Sequence, residues 1–218
     1  MTHRTAITLV AAALLVTVGR AQTAQPLASL KTTAEASDFK STSTYDDVVR
    51  FMKAVDAASP NVFYATYGKT SEGRDMPLAI VGAGLKDGSP QSVRATNRLR
   101  VHIQGNIHAG EVEGKESAQI LLRELAMGQH AEWLQSTVFL ITPILNADGN
   151  ERFSLTNRGV QNGPINGMGT RQNAQNLNIN RDFMKLDTPE GQARMAEGVV
   201  KLVGAVYELT TGRVRFLD

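Results

Sequence analysis

Hydrophobic positions along the chain recur with two different periods, and these predict helices and strands that follow one another. Val48, Met52 and Val55 fall on one helix face, and the hydroxyl of Ser43 or Thr44 can cap the start of that helix. Predicted helices span residues 45–58, 112–126 and 190–209, and predicted strands span 62–67, 76–81, 99–104, 137–142 and 214–217. Because strands alternate with helices, we predict an α/β layer architecture with a largely buried sheet.

Two segments show neither period and are predicted to be loops. Residues 85–96 carry an Asp-Gly-Ser-Pro turn sequence. Residues 143–177 form a long polar stretch that is rich in glycine. Since a connection of that length without regular structure is usually functional, we expect it to contribute to a site.

The N-terminal residues 1–21 have the pattern of a bacterial secretory signal peptide. Arg4 supplies a positive charge, residues 6–18 are apolar apart from threonines, and Gly19 and Ala21 place small residues at the cleavage-determining positions. The apolar run is shorter than the roughly 20 residues of a membrane span. We expect cleavage after about Ala21 and a periplasmic or extracellular protein without stable membrane insertion. An uncleaved N-terminal anchor is the alternative.

The charge of the chain belongs to this leader. The 218 residues carry a formal net charge of +2 and a sequence pI of about 9.0. Arg4 and Arg20 are the only charged residues of the leader, so acidic and basic residues balance in the remainder, and a nucleic-acid partner is not indicated.

The absence of cysteine excludes a disulfide framework, a thiolate zinc site and a cysteine nucleophile. Composition predicts a linker at 22–42 before a single domain at 43–218.

The first candidate for chemistry is segment 105–111, which joins a predicted strand to a predicted helix. Ligand sites in open α/β sheets lie beyond the carboxyl ends of strands. His108 and Glu111 are three residues apart, so an imidazole nitrogen and a carboxylate can converge on one point. Zinc in a hydrolytic site takes three such protein ligands and a water. The alternative is a polar helix entry in which the helix N-terminus favours the charge of Glu111.

The second candidate is segment 176–183, which closes the glycine-rich stretch. Asn180 and Arg181 can form a carboxylate receptor, because a guanidinium presents a planar fork that matches a carboxylate. Arg171 lies ten residues before Arg181. The alternative interpretation of Arg171, and also of Arg158, is a loop charge in solvent.

Together these segments resemble the zinc metallocarboxypeptidase family of the carboxypeptidase A type. The family pattern runs strand, His-x-x-Glu, helix, strand, Asn-x-Asp-Gly, glycine-rich loop and Asn-Arg. The chain shows this pattern in the same order from residue 45 to its end. Its three motifs are His108-Ala-Gly-Glu111, Asn146-Ala-Asp148-Gly149 and Asn180-Arg181. The resemblance implies an α/β fold, a three-layer α/β/α sandwich with a mixed β-sheet, of which this chain is the C-terminally truncated first part.

The resemblance also implies a role for each matching residue. His108 and Glu111 correspond to the first two ligands of Zn2+. Asn180 and Arg181 correspond to the pair that binds the terminal carboxylate of the substrate. Arg171 corresponds to the arginine that polarises the scissile carbonyl and stabilises the oxyanion. The implied enzyme is a zinc metallocarboxypeptidase that hydrolyses C-terminal peptide bonds with metal-activated water, and its partner is a peptide or small amide with a free carboxylate.

The chain departs from the family pattern in several places. Asn178 stands where the family often has an aspartate that orients a ligand histidine, Asp182 stands where asparagine is common, and Gly110 stands where some members carry arginine. The family's third zinc ligand is a histidine that follows a strand, and residues 213–218 are similar to that strand, cut just before the histidine. We therefore expect the third ligand and the general base beyond Asp218, and an inactive fragment on its own.

Two further functions are alternatives. Related folds hydrolyse small N-acyl amino acids, so a zinc amidohydrolase would use the same chemistry. A non-catalytic protein would use the carboxylate pocket for binding only. The leader and the long loop before Asn180 and Arg181 favour the peptidase. His102, on a strand, and His130, in a loop, are not predicted to be zinc ligands.

Overall fold

A computed structural model describes residues 26–159, 163–183, 185–196, 205–207 and 214–216 of the chain. The predicted leader at 1–21 lies outside the described residues. The helices are α1 (Thr33–Ala36), α2 (Tyr45–Ala58), α3 (Pro90–Ala95), α4 (Val112–Ala126), α5 (Trp133–Ser136), α6 (Ala147–Asn150) and α7 (Pro189–Ala196), with 3-10 turns at Leu27–Ser29 and Ile179–Arg181. The strands are β1 (Val62–Lys69), β2 (Asp75–Val81), β3 (Leu99–Gln104), β4 (Thr137–Thr142), β5 (Ala205–Tyr207) and β6 (Val214–Phe216).

Four strands form one mixed sheet in the order β1-β2-β4-β3. The pairs β1/β2 and β2/β4 are antiparallel, whereas β3 and β4 run parallel with Leu99 opposite Thr137 and Gln104 opposite Thr142. The parallel pair requires a crossover, which α4 supplies between the two strands. The predicted α/β fold with a mixed sheet is confirmed.

Helices cover both faces of this sheet because its central strands are apolar on both sides. All of β4 is buried. Leu140 and Ile141, which are adjacent residues of this strand, point to opposite faces of the sheet and belong to different core clusters. Ile141 packs with Phe51 of α2 and Leu122 of α4. Leu140 lies in the second cluster, against which Ala193 of α7 packs. The sheet and its helices therefore form the three layers that the family resemblance implies.

Local sequence explains where the principal helices begin. Thr44 caps α2 by accepting from the backbone N–H of Asp47, and the Asp47 carboxylate accepts from the backbone N–H of Thr44. The predicted bounds of α2, β3, α4 and β4 are the observed ones. The loop that contains His108 therefore lies at the carboxyl end of β3, as predicted.

The structure corrects three of the predicted elements. The predicted loop 143–177 contains the short helix α6, whose N-cap Asn146 accepts from the N–H of Gly149. The predicted loop 85–96 contains α3, whose N-cap Ser89 accepts from the N–H of Ser92. The predicted helix 190–209 was wrong in its last part, because Ala205–Tyr207 is a strand that pairs antiparallel with Val214–Phe216. A short apolar run fits either element, and here pairing with a second strand decides between them.

The described part of the predicted linker, residues 26–42, packs against the domain. Thr32 caps α1 and is buried, as is Ala34. The guanidinium of Arg123 in α4 pairs with both carboxylate oxygens of Glu35 at 2.6 Å. Among the residues that the structure describes, no helix is both long and apolar enough to span a membrane.

Candidate active site

The turn between β3 and α4 presents the first two candidate residues. Asn106 adopts a left-handed φ of 59°, which asparagine tolerates better than most residues, and its Nδ2 donates to the carbonyl of Ala109 at 3.1 Å. The N–H of Glu111 donates to the carbonyl of His108 at 2.9 Å. This tight turn places the side chains of His108 and Glu111 on the same side of the loop.

His108 and Glu111 face each other at hydrogen-bonding distance. Nδ1 of His108 lies 3.0 Å from Oε1 of Glu111, and its Nε2 lies 3.0 Å from Oδ1 of Asn178. The imidazole is almost fully buried, whereas the carboxylate is 40% exposed. When Nε2 donates its proton to the amide oxygen of Asn178, a neutral imidazole presents a lone pair on Nδ1 toward the carboxylate. In that tautomer two acceptors would face each other and favour a cation between them, and an imidazole nitrogen with a carboxylate oxygen is a donor set that suits zinc.

The donor set is partial among the described residues. In that part of the chain, no group of three or more histidine, cysteine, aspartate or glutamate side chains converges as a metal cluster. The other described histidines make contacts elsewhere: His102 contacts Thr142 Oγ1 at 3.2 Å, and His130 stacks on Trp133 with ring centroids 4.1 Å apart. His108 and Glu111 thus fit two of the three protein ligands that catalytic zinc takes.

Arg158 also contacts the candidate metal ligand. Its NH1 lies 3.3 Å from Oε1 of Glu111, and its side chain is only 22% exposed. The alternative of a loop charge in solvent was therefore wrong for this residue. Position 158 carries no local sequence signal for the contact, because the two residues are 47 positions apart in the chain.

The Asn-x-Asp-Gly motif is an anchor for two loops. Asn146 Nδ2 donates to the carbonyl of Gln172 at 3.1 Å, and its Oδ1 accepts from the N–H of Gly149 at 3.0 Å. Asp148 is fully buried and accepts from Thr70 Oγ1 at 2.7 Å and from Arg74 NH1 at 2.8 Å. Sequence analysis used this motif only as a family marker. In the structure, this motif fixes the loop that carries Arg171 and the turn between β1 and β2.

Asn180 and Arg181 lie on a 3-10 turn that is tied to the His108 side chain. Oδ1 of Asn178 accepts from the backbone N–H of Asn180 at 3.0 Å, in addition to its contact with His108. Asn180 is half-buried, whereas Arg181 and Arg171 are exposed. One amide oxygen thus connects the candidate metal ligand with the candidate carboxylate receptor.

Buried polar groups fix this turn from behind. Asp182 is buried and accepts from the N–H of Asp187 at 2.6 Å and from the N–H of Thr188 at 3.0 Å. Asn173 Oδ1 accepts from the N–H of Leu177 at 3.0 Å, and its Nδ2 donates to Glu190 at 3.1 Å. Burial raises the pKa of Glu190. The carboxylate at 182, a departure from the family pattern, therefore organises the start of α7.

These features define an α/β protein whose site lies in the loop after a parallel strand. A sequence profile described as zinc carboxypeptidase matches residues 48–198. The chain therefore belongs to the zinc carboxypeptidase family, whose members are peptidase hydrolases.

Individual relatives agree with this assignment. Carboxypeptidase Z from Rattus norvegicus is 32% identical over 164 residues, which are 72% of this chain and 24% of that protein. Carboxypeptidase 2 from Trichophyton rubrum is 29% identical over 184 residues, which are 81% of this chain and 31% of that protein. The crystal structure of a metallo-carboxypeptidase from Burkholderia cenocepacia superimposes with a TM-score of 0.54 at 25% identity, covering 73% of this chain and 39% of that one. The chain thus spans about a quarter to a third of these curated relatives.

Proposed function

We propose that this chain is part of an exported zinc metallocarboxypeptidase that removes the C-terminal residue of a peptide. The observation that carries the proposal is the arrangement of His108. Its Nδ1 faces Glu111 Oε1 at 3.0 Å while its Nε2 is engaged by Asn178, so the imidazole is oriented with one nitrogen toward a carboxylate. Such orientation by an outer hydrogen bond is usual for a ligand histidine.

In the proposed site, His108 and Glu111 hold Zn2+ as two of its three protein ligands. A zinc ion held by these residues would supply Lewis-acid chemistry, polarising the scissile carbonyl and lowering the pKa of water. Neutral imidazole and carboxylate together offset half of the charge of the ion.

The neighbouring loops bind and orient the substrate. Asn180 and Arg181 bind the terminal carboxylate, because a guanidinium and an amide N–H offer donors to both of its oxygens. Arg171 donates to the scissile carbonyl oxygen as negative charge develops on it. The exposure of Arg171 and Arg181 leaves both guanidinium groups accessible to a substrate.

Release of C-terminal amino acids by the full-length protein tests this proposal. Release should stop when a chelator removes the metal and resume when zinc is added, and a peptide with an amidated C-terminus should resist. His108→Ala and Glu111→Ala should each abolish the activity, whereas the matched control His130→Ala should retain it. Activity of His108→Ala equal to that of the wild type would refute the zinc assignment. Hydrolysis of N-acyl amino acids without hydrolysis of peptides would identify the amidohydrolase instead.

Two further variants separate the substrate contacts. Arg181→Ala should raise KM most, since it removes binding of the carboxylate. Arg171→Ala should lower kcat by about 100-fold or more, since it removes a contact that strengthens in the transition state.

Export is tested by fractionation of the native host, where the mature protein should begin near residue 22.

A further inference from the structure

The guanidinium that contacts Glu111 reaches it across a glycine. A Cβ atom built on Gly110 would lie 2.6 Å from Cδ and 2.7 Å from Cγ of Arg158. These distances are shorter than a van der Waals contact, so the aliphatic part of Arg158 occupies the space of a missing side chain. The same Cβ would lie 3.0 Å from the carbonyl oxygen of Gly169, a tight contact that leaves the glycine little room to move away.

The loop that carries Arg158 is itself held in place. Asn157 Nδ2 donates to the carbonyl oxygens of Arg152 and Met168, both at 2.7 Å. The side chain of Arg158 therefore extends from a fixed backbone position, over Gly110, to end 3.3 Å from Oε1 of Glu111. That oxygen is the same one that lies 3.0 Å from His108 Nδ1.

The Glu111 carboxylate needs such a contact. It is 40% exposed, whereas the imidazole beside it is almost fully buried. A glutamate side chain loses considerable rotamer freedom when it is fixed, so an exposed carboxylate held only by a metal ion would weaken the binding of that ion. The contact of the Arg158 guanidinium with Oε1 at 3.3 Å restricts the carboxylate before the ion arrives.

We propose that Arg158 is a positioning residue that orients the Glu111 carboxylate for zinc, and that position 110 is a glycine because Arg158 must cross it. This inference rests on the proposed function, since it requires Glu111 to be a zinc ligand. It adds a residue from the glycine-rich loop to the proposed metal site. It also explains why position 110 has no side chain, since Arg158 occupies that space.

The test measures the zinc affinity of the full-length protein by competition with a chelator. Arg158→Ala should weaken zinc binding by about 10-fold, the lower end of the range for partners of metal ligands. Gly110→Ala should weaken it similarly, because the new methyl group displaces the arginine. The double variant should bind at most slightly more weakly than Arg158→Ala alone, since the clash with the arginine disappears and only the 3.0 Å contact with the Gly169 carbonyl remains. Arg158→Lys, which keeps the charge but reaches less far, should be intermediate.

The matched control is Arg152→Ala, which removes an arginine of the same loop that pairs with Glu72 at 2.8 Å. Its zinc affinity should equal that of the wild type. Thermal unfolding of the metal-free proteins separates positioning from stability. If Arg158 acts by positioning, Arg158→Ala should bind zinc more weakly while its melting temperature stays close to that of the wild type.

The possible failures are distinguishable. Zinc affinities of Arg158→Ala and Gly110→Ala equal to the wild-type value, with binding abolished in His108→Ala, would overturn this inference and leave the proposed function intact. A wild-type protein that binds no zinc would overturn both. Strictly additive losses in the double variant would show that the two residues act separately, which also overturns the inference.

Discussion

Lys115 makes the stability of this protein depend on pH in an unusual direction. Its side chain is fully buried in α4, where the ammonium nitrogen donates to the carbonyl of Ser43 and lies 2.6 Å from Oδ1 of Asn150. Burial lowers the pKa of Lys115 to about 8, and the nearby carboxylates, Glu116 first among them, oppose this shift only in part. A neutral amine still has two protons for its two acceptors.

The sign follows from linkage between protonation and folding. Between the folded pKa of about 8 and the ordinary value of 10.5, the unfolded lysine holds a proton that the folded lysine lacks. Unfolding therefore takes up a proton, and a rise in pH disfavours unfolding. With these two pKa values, the free energy of unfolding rises by about 2 kcal/mol between pH 7 and pH 9.5.

The assay is urea unfolding of the metal-free protein at several values of pH up to 9.5. Burial raises the pKa of Tyr45 to about 12, so that residue acts in the opposite direction only above pH 10. Lys115→Met should remove the rise with pH, whatever its effect on absolute stability, and the exposed control Lys31→Met should keep it. If wild type and Lys115→Met change in parallel, Lys115 is ionised in the folded protein and the reasoning is wrong.

Two further variants test contacts of the site loops. Asp148→Asn should lower the free energy of unfolding by about 3 kcal/mol, because it removes a buried carboxylate that binds the 70–74 turn; urea unfolding measures this, and the exposed Asp38→Asn should be neutral. Asn178→Asp should strengthen zinc binding by about 10-fold, because a carboxylate accepts more strongly than an amide oxygen from Nε2 of His108. An unchanged chelator competition curve for Asn178→Asp would contradict this reading of the contact.

Elements with a strong local period were predictable from sequence. The bounds of β3, α4 and β4 follow from runs of apolar residues bounded by polar turns, so each strand and helix is specified within its own segment. The six residues of α3 are too few to show a helical period, and only the Ser-Pro start marks them. The strand Ala205–Tyr207 forms by pairing with Val214–Phe216. A pattern within one segment of sequence contains no information about such a partner.

Partners across the site were not predictable in the same way. His108 and Glu111 stand three residues apart, so their approach follows from one turn. Asn178 and Arg158 lie 70 and 47 residues from their partners, and their contacts depend on the path of the glycine-rich loop. Composition predicts that this loop is irregular, but it does not predict which of the loop's side chains lie at the site.

The path of this loop is set by side-chain amides, and that couples the two halves of the proposed site. Asn146 holds the carbonyl of Gln172, and Asn178 accepts from both the His108 ring and the backbone N–H of Asn180. A movement of the turn that carries Asn180 must therefore stretch a hydrogen bond to the imidazole. Because amides are neutral, they fix the loop without adding charge next to the proposed metal site. It follows that a substrate carboxylate bound at Asn180, as proposed, would also restrain the orientation of the proposed zinc ligand.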